Sequence, residues 1–242
     1  MINQNIGAIF LDHGNTMRIV VEDESFRNLA EQQLVEMIGT NEPPDVFCKR
    51  LDDRYGIYKK RAKETLLQDS AAEVWVRWML PEYPSNKIAP LANQLTCLWR
   101  DRKGRRILQP DAKQAILELH RRGYILGVIA NSLSETEIPD WLKAEGRTQY
   151  FKSVVISSKF GRRKPDPYIY LEAAALAGVK PQNCVYVGDN PERDVKGAKH
   201  AGFGATIILR SNVPAEETYK GEVKPDLFIS KFGELLKIFP QR

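Results

Sequence analysis

The chain has 242 residues, of which 43% are hydrophobic and 28% charged, a composition that is ordinary for a soluble globular protein. This length suffices for one large domain or two small ones, with room for a proper core. No apolar run approaches the roughly 18 residues that a membrane helix requires, and no basic-then-apolar leader opens the chain. We therefore expect a cytoplasmic protein with no membrane partner.

The cysteines and histidines are few and scattered along the chain. Three cysteines without a CxxC pair indicate buried free thiols rather than disulfides or a zinc knuckle. The three histidines are too dispersed to predict a histidine-based metal site. These residues are Cys48, Cys97 and Cys184, and His13, His120 and His200.

The formal net charge is +5, and basic residues cluster at 100–106 and 159–164. Such clusters would suit nucleic acid, but neither a recognition-helix pattern nor an aromatic ladder accompanies them, so we expect no nucleic-acid partner. They either steer a small anionic substrate or form solvated surface, and solvated surface is the simpler interpretation for most of these side chains.

The first predicted element is a short buried strand formed by the apolar residues from Ile6 to Leu11. Asp12 follows at its carboxyl end, where open α/β sheets place their ligands. Gly14 and Asn15 allow a sharp turn because both residue types tolerate positive φ. By itself, this aspartate is either a solvated turn residue or a functional group.

The segment from about residue 19 to 105 has helical patterns. Residues 24–39 carry an apolar face that ends at Gly39, a suitable stop signal. A capping box at Ser70–Glu73 precedes a second helix, whose two tryptophans could line a ligand pocket but have a spacing that favours core packing. We expect a small helical bundle, with Gly104 as a hinge on the return path.

From Ile107 onward, strands alternate with helices. Five strands are predicted, at Tyr124–Ala130, Ser153–Ser157, Cys184–Gly188, Gly204–Leu209 and Asp226–Ser230. Helix starts are predicted at Asp111, near Ser134–Glu137, at Asp166–Pro167 and at Pro191, and a last helix carries Leu235, Leu236 and Phe239. The alternation predicts an α/β fold, a Rossmann-like parallel sheet with helices on both faces.

Polar residues follow four of these strands, and parallel strands end at the same edge of a sheet. They are Asp12, Asn131, the loop of Lys164, and Asp189, with Asp194 one short turn later. The three carboxylates form a hard-oxygen cluster that suits Mg²⁺, and the lysine would balance them and a phosphoryl group. This set predicts phosphoryl chemistry on a carboxylate nucleophile.

Four stretches carry a family resemblance: residues 12–16 (DHGNT), 129–132 (IANS), 163–167 (RKPDP) and 187–194 (VGDNPERD). In this order they resemble the haloacid dehalogenase (HAD) superfamily, and the last two are specific for its phosphatase-like branch. The resemblance covers the whole chain except the helical insert in detail. It implies a HAD-like core at 1–18 and 106–242 and a helical cap domain at 19–105.

The resemblance also implies roles for the carboxylates. Asp12 would be the nucleophile, forming an aspartyl-phosphate, and would bind Mg²⁺ together with the Gly14 carbonyl and Asp189. Lys164 would serve catalysis as the balancing cation. Asp194 would act through water or by holding that lysine.

On the substrate side, the resemblance implies that Thr16 supports the loop after the nucleophile and that Asn131 lies beside the transferring phosphoryl group. The family usually has serine or threonine where this chain has Ala130. Ser132 is a candidate to compensate.

A second departure concerns the general acid. The family phosphatases usually carry an aspartate two residues after the nucleophile, where this chain has Gly14. Loss of such a group costs about 10²–10⁴-fold in rate. His13 is a candidate substitute, although alternation at the strand end predicts that it points away from the side of Asp12.

Three functions remain open. The first is a Mg²⁺-dependent phosphatase for a small phosphorylated metabolite, slow or suited to good leaving groups. The second is a non-catalytic protein that binds the metal and a phosphorylated ligand. The third is a dehalogenase, which the retained Asp189 argues against, or a phosphonate hydrolase, which would need a cap lysine from among Lys49, Lys59, Lys60 and Lys63.

The helical cap would close over the site and contribute substrate contacts. Arg50, Arg54, Tyr55 and Tyr58 are candidates for these contacts, although a solvated helix face explains each of them as well. A monomer or a homodimer fits the sequence equally.

Overall fold

A six-stranded parallel sheet forms the centre of the computed structural model, which describes residues 5–210 and 222–242. The strands in chain order are β1 (Ala8–Leu11), β2 (Arg18–Val21), β3 (Arg105–Leu108), β4 (Ile125–Ala130), β5 (Phe151–Ile156), β6 (Cys184–Gly188), β7 (Ala205–Leu209) and β8 (Leu227–Ile229). The sheet has the order β5-β4-β1-β6-β7-β8, and each neighbouring pair is parallel. The fold class predicted from the sequence is confirmed.

Strand β1 lies in the middle of this sheet and all four of its residues are buried. Ile9 and Leu11 face one hydrophobic core, and Ala8 and Phe10 face the other. A strand covered on both faces is apolar throughout rather than alternating, which explains its sequence. Leu11 is paired with Val128 of β4 on one side and with Val187 of β6 on the other. Asp12 therefore lies at the edge of the sheet where β4 and β6 also end.

Helices cover both faces of the sheet. Those of the core are α6 (Ala112–Arg121), α7 (Glu137–Ala144), α8 (Ser157–Phe160), α9 (Pro167–Ala177), α10 (Lys196–His200) and α11 (Leu235–Ile238), and those that precede them are α1 (Glu24–Ile38), α2 (Pro44–Thr65), α3 (Ala71–Val74), α4 (Ser85–Ile88) and α5 (Ala92–Asp101). Asp111 precedes α6 as predicted, but its carboxylate does not cap that helix. It accepts a hydrogen bond from the Gly233 amide at 2.6 Å and so ties the end of the chain to the sheet.

Helices α1 to α5 enclose a hydrophobic core of their own, to which Leu133 of the sheet region is added. The predicted stop at Gly39 and the capping box of Ser70 and Glu73 are both present. Trp75 is fully buried in this core, which agrees with core packing rather than a ligand pocket.

Strands β2 and β3 form an antiparallel ribbon that joins the helical segment to the sheet. These strands were not predicted, because β2 (RIVV) and β3 (RRIL) are only four residues long and lack an apolar alternation. The expected domain boundaries at 18/19 and 105/106 fall inside this ribbon, so residues 19–105 are not entirely helical. Gly104 has a φ of 116°, and a Cβ there would lie 2.3 Å from the Val21 carbonyl oxygen.

Two further expectations concern cysteines and membranes. Cys48 and Cys184 are buried, whereas Cys97 is partly exposed, so the prediction of a buried thiol is wrong for Cys97. Over the described ranges, no helix has the length and apolar character that crossing a membrane requires.

Candidate functional site

The site begins at Asp12, directly after β1. Its backbone amide donates to the Val187 carbonyl at 2.8 Å, which continues the sheet pairing by one residue. Its Oδ1 accepts the His13 amide at 2.7 Å. The chain then turns back at Asn15, which has a φ of 56° and reaches Asp189 through its side-chain amide at 3.4 Å. A buried strand followed by a tight turn therefore holds the carboxylate in a single place.

Lys164 lies between two carboxylates, with its side chain fully buried. Its Nζ is 2.9 Å from Oδ1 of Asp12 and 2.9 Å from Oδ1 of Asp194. It also donates to the Tyr186 hydroxyl at 2.5 Å, and that hydroxyl donates to the Ile129 carbonyl at 3.0 Å. All three donor positions of the ammonium group have partners, which a buried charge requires.

Asn131 holds the loop that carries this lysine. Its Oδ1 accepts the Lys164 amide at 2.8 Å, and its Nδ2 donates to the Lys164 carbonyl at 3.0 Å. Asn131 was expected beside the phosphoryl group, but both its carbonyl and its amide group are hydrogen-bonded to the backbone of the neighbouring loop. The second and third motifs are joined in this way.

Asp194 is fully buried and organises the loop after β6. Its Oδ2 accepts the amides of Asp189 at 3.2 Å and Asn190 at 3.0 Å. Gly188 allows this approach, because a Cβ at that position would lie only 2.4 Å from the same oxygen. Contact with Lys164 agrees with the second of the two roles considered for Asp194.

Arg193 completes the arrangement, and the sequence analysis did not select it. Its Nη2 lies 2.5 Å from Oδ2 of Asp12, 2.7 Å from Oδ1 of Asp189 and 2.9 Å from Oδ2 of Asp194. Arg193 lies four residues after Asp189, across the turn that follows β6, and this spacing was the available signal. One guanidinium nitrogen thus contacts all three carboxylates.

Tyr186 was also missed. It lies in the middle of a fully buried strand, where an aromatic residue is expected for packing alone, and it packs edge-on against Tyr170. The sequence offers no signal that its hydroxyl supports Lys164.

The buried charges shift the pKa values of two carboxyl groups. Burial raises the pKa of Asp12 to about 6, against the lowering effects of Lys164 and Arg193. Burial also raises the pKa of Asp194, but the same two cations outweigh it and hold the pKa at about 2. At neutral pH both groups are ionised, so the site contains a carboxylate nucleophile candidate beside a fixed carboxylate.

Asp12, Asp189 and Asp194, here named the carboxylate cluster, form a set that fits a divalent cation. One carboxylate oxygen from each lies within 4.8 Å of the others. Carboxylate oxygens are hard donors of the kind that Mg²⁺ prefers. The cluster already holds the positive charge of the Arg193 guanidinium, which shows that this position favours a cation.

Two predicted substrate-side residues have different surroundings. Thr16 is fully buried, and its hydroxyl has no hydrogen-bond partner within the described residues. Ser132 lines the cleft above the site, where its Oγ accepts the Ser134 amide at 3.2 Å and lies 3.4 Å from Arg100. Ser132 is therefore the better placed of the two to meet a ligand.

His13 is buried and packs edge-on against Trp141 at a ring-centroid distance of 5.3 Å. Burial, reinforced by the charges of Arg100 and Arg18, holds the pKa of His13 well below its usual value. Its imidazole is therefore neutral at neutral pH and does not carry the proton that a general acid would donate.

A cleft with a volume of about 330 Å³ lies between the sheet edge and the helical segment, and the turn after Asp12 lines it. Asp12 itself does not line the cleft, but Arg193 does and contacts the Asp12 carboxylate, so the carboxylate cluster is here called the base of the cleft. Of the four cap candidates, only Tyr55 lines it. Arg50 and Arg54 both bind Glu82, and Tyr58 is buried. The remaining lining residues include seven cations and, in the part of the chain that the structure describes, no carboxylate: Arg18, Lys59, Arg100, Lys103, Arg106, Arg163 and Arg193.

Comparison with known proteins agrees with this geometry. The model of the haloacid dehalogenase-like hydrolase family matches residues 24–202. The chain belongs to this family. The matched range includes Lys164, Asp189 and Asp194, and Asp12 lies just before it.

Curated relatives of this HAD chain include two phosphatases. The chain is 35% identical over 131 residues to glyceraldehyde 3-phosphate phosphatase of Methanopyrus kandleri, a match that covers 53% of this chain and 55% of the relative. It is 34% identical over 132 residues to phosphoserine phosphatase of Thermus thermophilus, covering 54% and 50%. The chain thus spans about half the length of these relatives.

Among solved structures, a 2-haloacid dehalogenase from Pseudomonas syringae pv. Tomato superposes with a TM-score of 0.70. The match covers 96% of this chain and 97% of the other at 20% identity. At this identity the similarity establishes the fold alone.

Proposed function

We propose that this HAD-family protein is a Mg²⁺-dependent phosphatase that acts through an aspartyl-phosphate on a small phosphorylated metabolite. The observation that carries the proposal is the Asp12 carboxylate, held by Lys164 at 2.9 Å at the base of a basic cleft. The phosphatase names of the two relatives support the same reaction type.

In the first step, an Asp12 oxygen attacks phosphorus and the bond from phosphorus to the leaving oxygen breaks. The nucleophile is ionised because its pKa of about 6 lies below neutral pH. Lys164 keeps Asp12 oriented and offsets negative charge as it moves from the carboxylate to the leaving oxygen. Water then attacks phosphorus and the bond from phosphorus to the Asp12 oxygen breaks, which releases phosphate and restores the Asp12 carboxylate. Because Gly14 supplies no acid or base, the proton that the water loses and the proton that the leaving oxygen gains are exchanged with solvent.

The carboxylate cluster would hold Mg²⁺ through Asp12 and Asp189, with the Gly14 carbonyl as a further ligand. When bound, the ion would neutralise charge on the phosphoryl oxygens. Asp194 would keep its contact with Lys164, at 2.9 Å, and its hydrogen bonds to the loop. Arg193 would leave the cluster, because its Nη2 occupies the space between the three carboxylates.

The leaving group receives no proton from position 14, since Gly14 has no side chain. His13 is neutral and does not replace that acid. We therefore propose that turnover is slow for alkyl phosphates and faster for aryl phosphates, acyl phosphates and anhydrides, whose leaving groups need little protonation. The helical segment at 19–105 is proposed to act as a cap that completes the cleft.

A second candidate is a phospho-ligand binding protein without turnover. The specific observation in its favour is Arg193, which engages the Asp12 oxygen that is not held by Lys164, at 2.5 Å. If this contact persisted with ligand bound, the nucleophile would stay blocked while the basic cleft still attracted phosphate.

The proposal is tested by release of nitrophenol from para-nitrophenyl phosphate. Its nitrophenolate leaving group needs little protonation, so the missing acid should matter least with this substrate. We expect Mg²⁺-dependent turnover that is abolished by chelation and falls by at least about 10³-fold in Asp12→Asn. The matched control is Asp53→Asn, because Asp53 is an exposed aspartate on α2 that pairs with Lys49 outside the cleft, and this variant should retain wild-type turnover.

Folded, Mg²⁺-binding wild-type protein that turns over no faster than Asp12→Asn would contradict a phosphatase. That result would favour the binding protein. Turnover that survives chelation unchanged would contradict the metal dependence.

A further inference from the structure

The cations that line the cleft fall into two groups. Arg18, Arg100 and Arg106 surround Glu137, and Arg106 also binds Asp101 at 2.8 Å. Arg193 is bound by the carboxylate cluster. Each of these four arginines therefore has at least one acidic partner within the protein.

The other three cations that line the cleft are Lys59, Lys103 and Arg163, and they differ in having no acidic partner among the described residues. Across residues 5–210 and 222–242, none of them forms a side-chain hydrogen bond or an ion pair with an acidic residue. We name them the entrance cations. They come from three separate parts of the chain, α2, the turn after α5 and the loop before Lys164, and they meet at one cleft.

The entrance cations also disfavour one another. Lys59 is exposed, but its partial burial lowers its pKa, and the charges of Lys63, Lys103 and Arg163 lower it further. Burial also lowers the pKa of Arg163; the Tyr55 and Tyr58 hydroxyls raise it, and the charge of Arg193 lowers it again. Positive charges held together without an anion raise the free energy of the empty cleft, and an anion placed among them would lower it.

Aromatic rings lie beside the entrance cations in the lining of the cleft, which distinguishes these cations from isolated charges on a solvated surface. Tyr55 precedes Lys59 by four residues and Trp99 precedes Lys103 by four, so in each case an aromatic ring lies one helical turn before a cation. The two rings pack edge-on with centroids 4.4 Å apart, and both line the cleft. Trp99 is further fixed by its indole nitrogen, which donates to Asp52 at 2.9 Å.

We propose that the entrance cations bind a second anionic group of the substrate, a carboxylate or a second phosphate, while the phosphoryl group to be transferred lies at Asp12. The inference rests on the proposed phosphatase function and narrows its substrate class to small phosphomonoesters that carry another negative charge. The cleft volume of about 330 Å³ suits such a molecule and is at the lower end of small-molecule pockets.

The test measures binding, so that it does not depend on turnover. The Asp12→Asn protein is titrated calorimetrically with glycerol 3-phosphate, with 3-phosphoglycerate and with glycerol 1,3-bisphosphate. The first has one anionic group, and the others add a carboxylate and a phosphate respectively. We expect at least one of the two ligands with a second anionic group to bind about tenfold more tightly than glycerol 3-phosphate. The tighter of the two identifies the second group.

Variants locate the effect. Lys59→Gln and Arg163→Gln are each added to Asp12→Asn. Each should reduce by about fivefold the ratio between the affinity for the preferred ligand with two anionic groups and the affinity for glycerol 3-phosphate. The use of a ratio removes any general loss of binding. Lys60→Gln is the matched control, since Lys60 is the next residue on α2, is exposed and does not line the cleft, and it should leave the ratio unchanged.

Equal affinities for all three ligands would overturn the inference, and so would a ratio that is the same in Lys59→Gln, Arg163→Gln and Lys60→Gln. These results are independent of the phosphatase assay. Loss of nitrophenol release in the native protein would overturn the proposed function instead.

Discussion

The base and the entrance of the cleft differ in how their charges are balanced. At the base, three carboxylates contact two cations, Lys164 and Arg193, and the buried ammonium group has three partners. At the entrance, Lys59, Lys103 and Arg163 have no acidic partner among the described residues. A buried charge is stable only when it is paired, whereas a cation near solvent is hydrated and can remain unpaired until a ligand binds. This difference supports our proposal that chemistry takes place at the base and substrate recognition at the entrance.

Removal of the central cation at the base should have the largest effect. Lys164→Met would leave Asp12 and Asp194 buried without their shared partner, and breaking a buried pair in this way costs about 3–5 kcal/mol. Urea denaturation followed by circular dichroism should show a free energy of unfolding lower by about that amount, with loss of turnover. Lys60→Met, on the exposed face of α2, should change it by less than about 0.5 kcal/mol. Equal effects in the two variants would contradict a base that is held together by paired charges.

Addition of the missing acid should change the rate next most strongly. A Cβ at Gly14 would meet nothing within 4 Å, so the backbone leaves space for a side chain to begin at this position in Gly14→Asp. We expect its kcat for alkyl phosphates to rise by up to about 10²-fold, and its kcat for aryl phosphates to change much less, because only alkyl leaving groups need the proton. Gly56→Asp, in an equally open position on α2, is the control. An equal gain on both ester classes would show that the effect is not acid catalysis.

Replacement of the second cation at the base should have a smaller effect, on metal binding. Arg193→Gln removes the guanidinium that Mg²⁺ would have to displace from the carboxylate cluster. We expect the Kd for Mg²⁺, measured by calorimetry, to fall by about tenfold, because one competing charge is removed. Arg77→Gln, on an exposed residue outside the cleft, should leave it unchanged. A weaker affinity in Arg193→Gln would show that the arginine supports the metal rather than competing with it.

The sequence predicted the base of the cleft better than the entrance. Asp12, Lys164, Asp189 and Asp194 follow strands of a parallel sheet, and the shared edge of such a sheet brings them together whatever lies between. The structure places all four in mutual contact or within one carboxylate cluster. Their catalytic and metal-binding roles remain predictions.

The entrance could not be predicted because it depends on how the helical segment packs over the sheet. In the basic cluster at 100–106, Arg100, Lys103 and Arg106 line the cleft, while Arg102 and Arg105 bind Asp52 and Asp23 elsewhere. Composition alone does not separate these two sets. The ribbon of β2 and β3, which joins the helical segment to the sheet, consists of two four-residue strands that carry no recognisable pattern.

The roles of Arg193 and Tyr186 were missed for a related reason. Each supports the site through the polar end of its side chain, and neither residue type signals those contacts in a sequence. The spacing of Arg193 from Asp189 was readable, but its meaning depends on the buried position of Asp12, which only the fold supplies.

The central claim is that Asp12 becomes phosphorylated. The most direct measurement is to quench the protein with acid during turnover of para-nitrophenyl phosphate in Mg²⁺, reduce it with borohydride and identify the modified peptide by mass spectrometry. Reduction of an aspartyl-phosphate converts that residue to homoserine, and we predict the conversion at position 12 and at no other aspartate. Turnover at an undiminished rate with Asp12 unmodified would contradict the account.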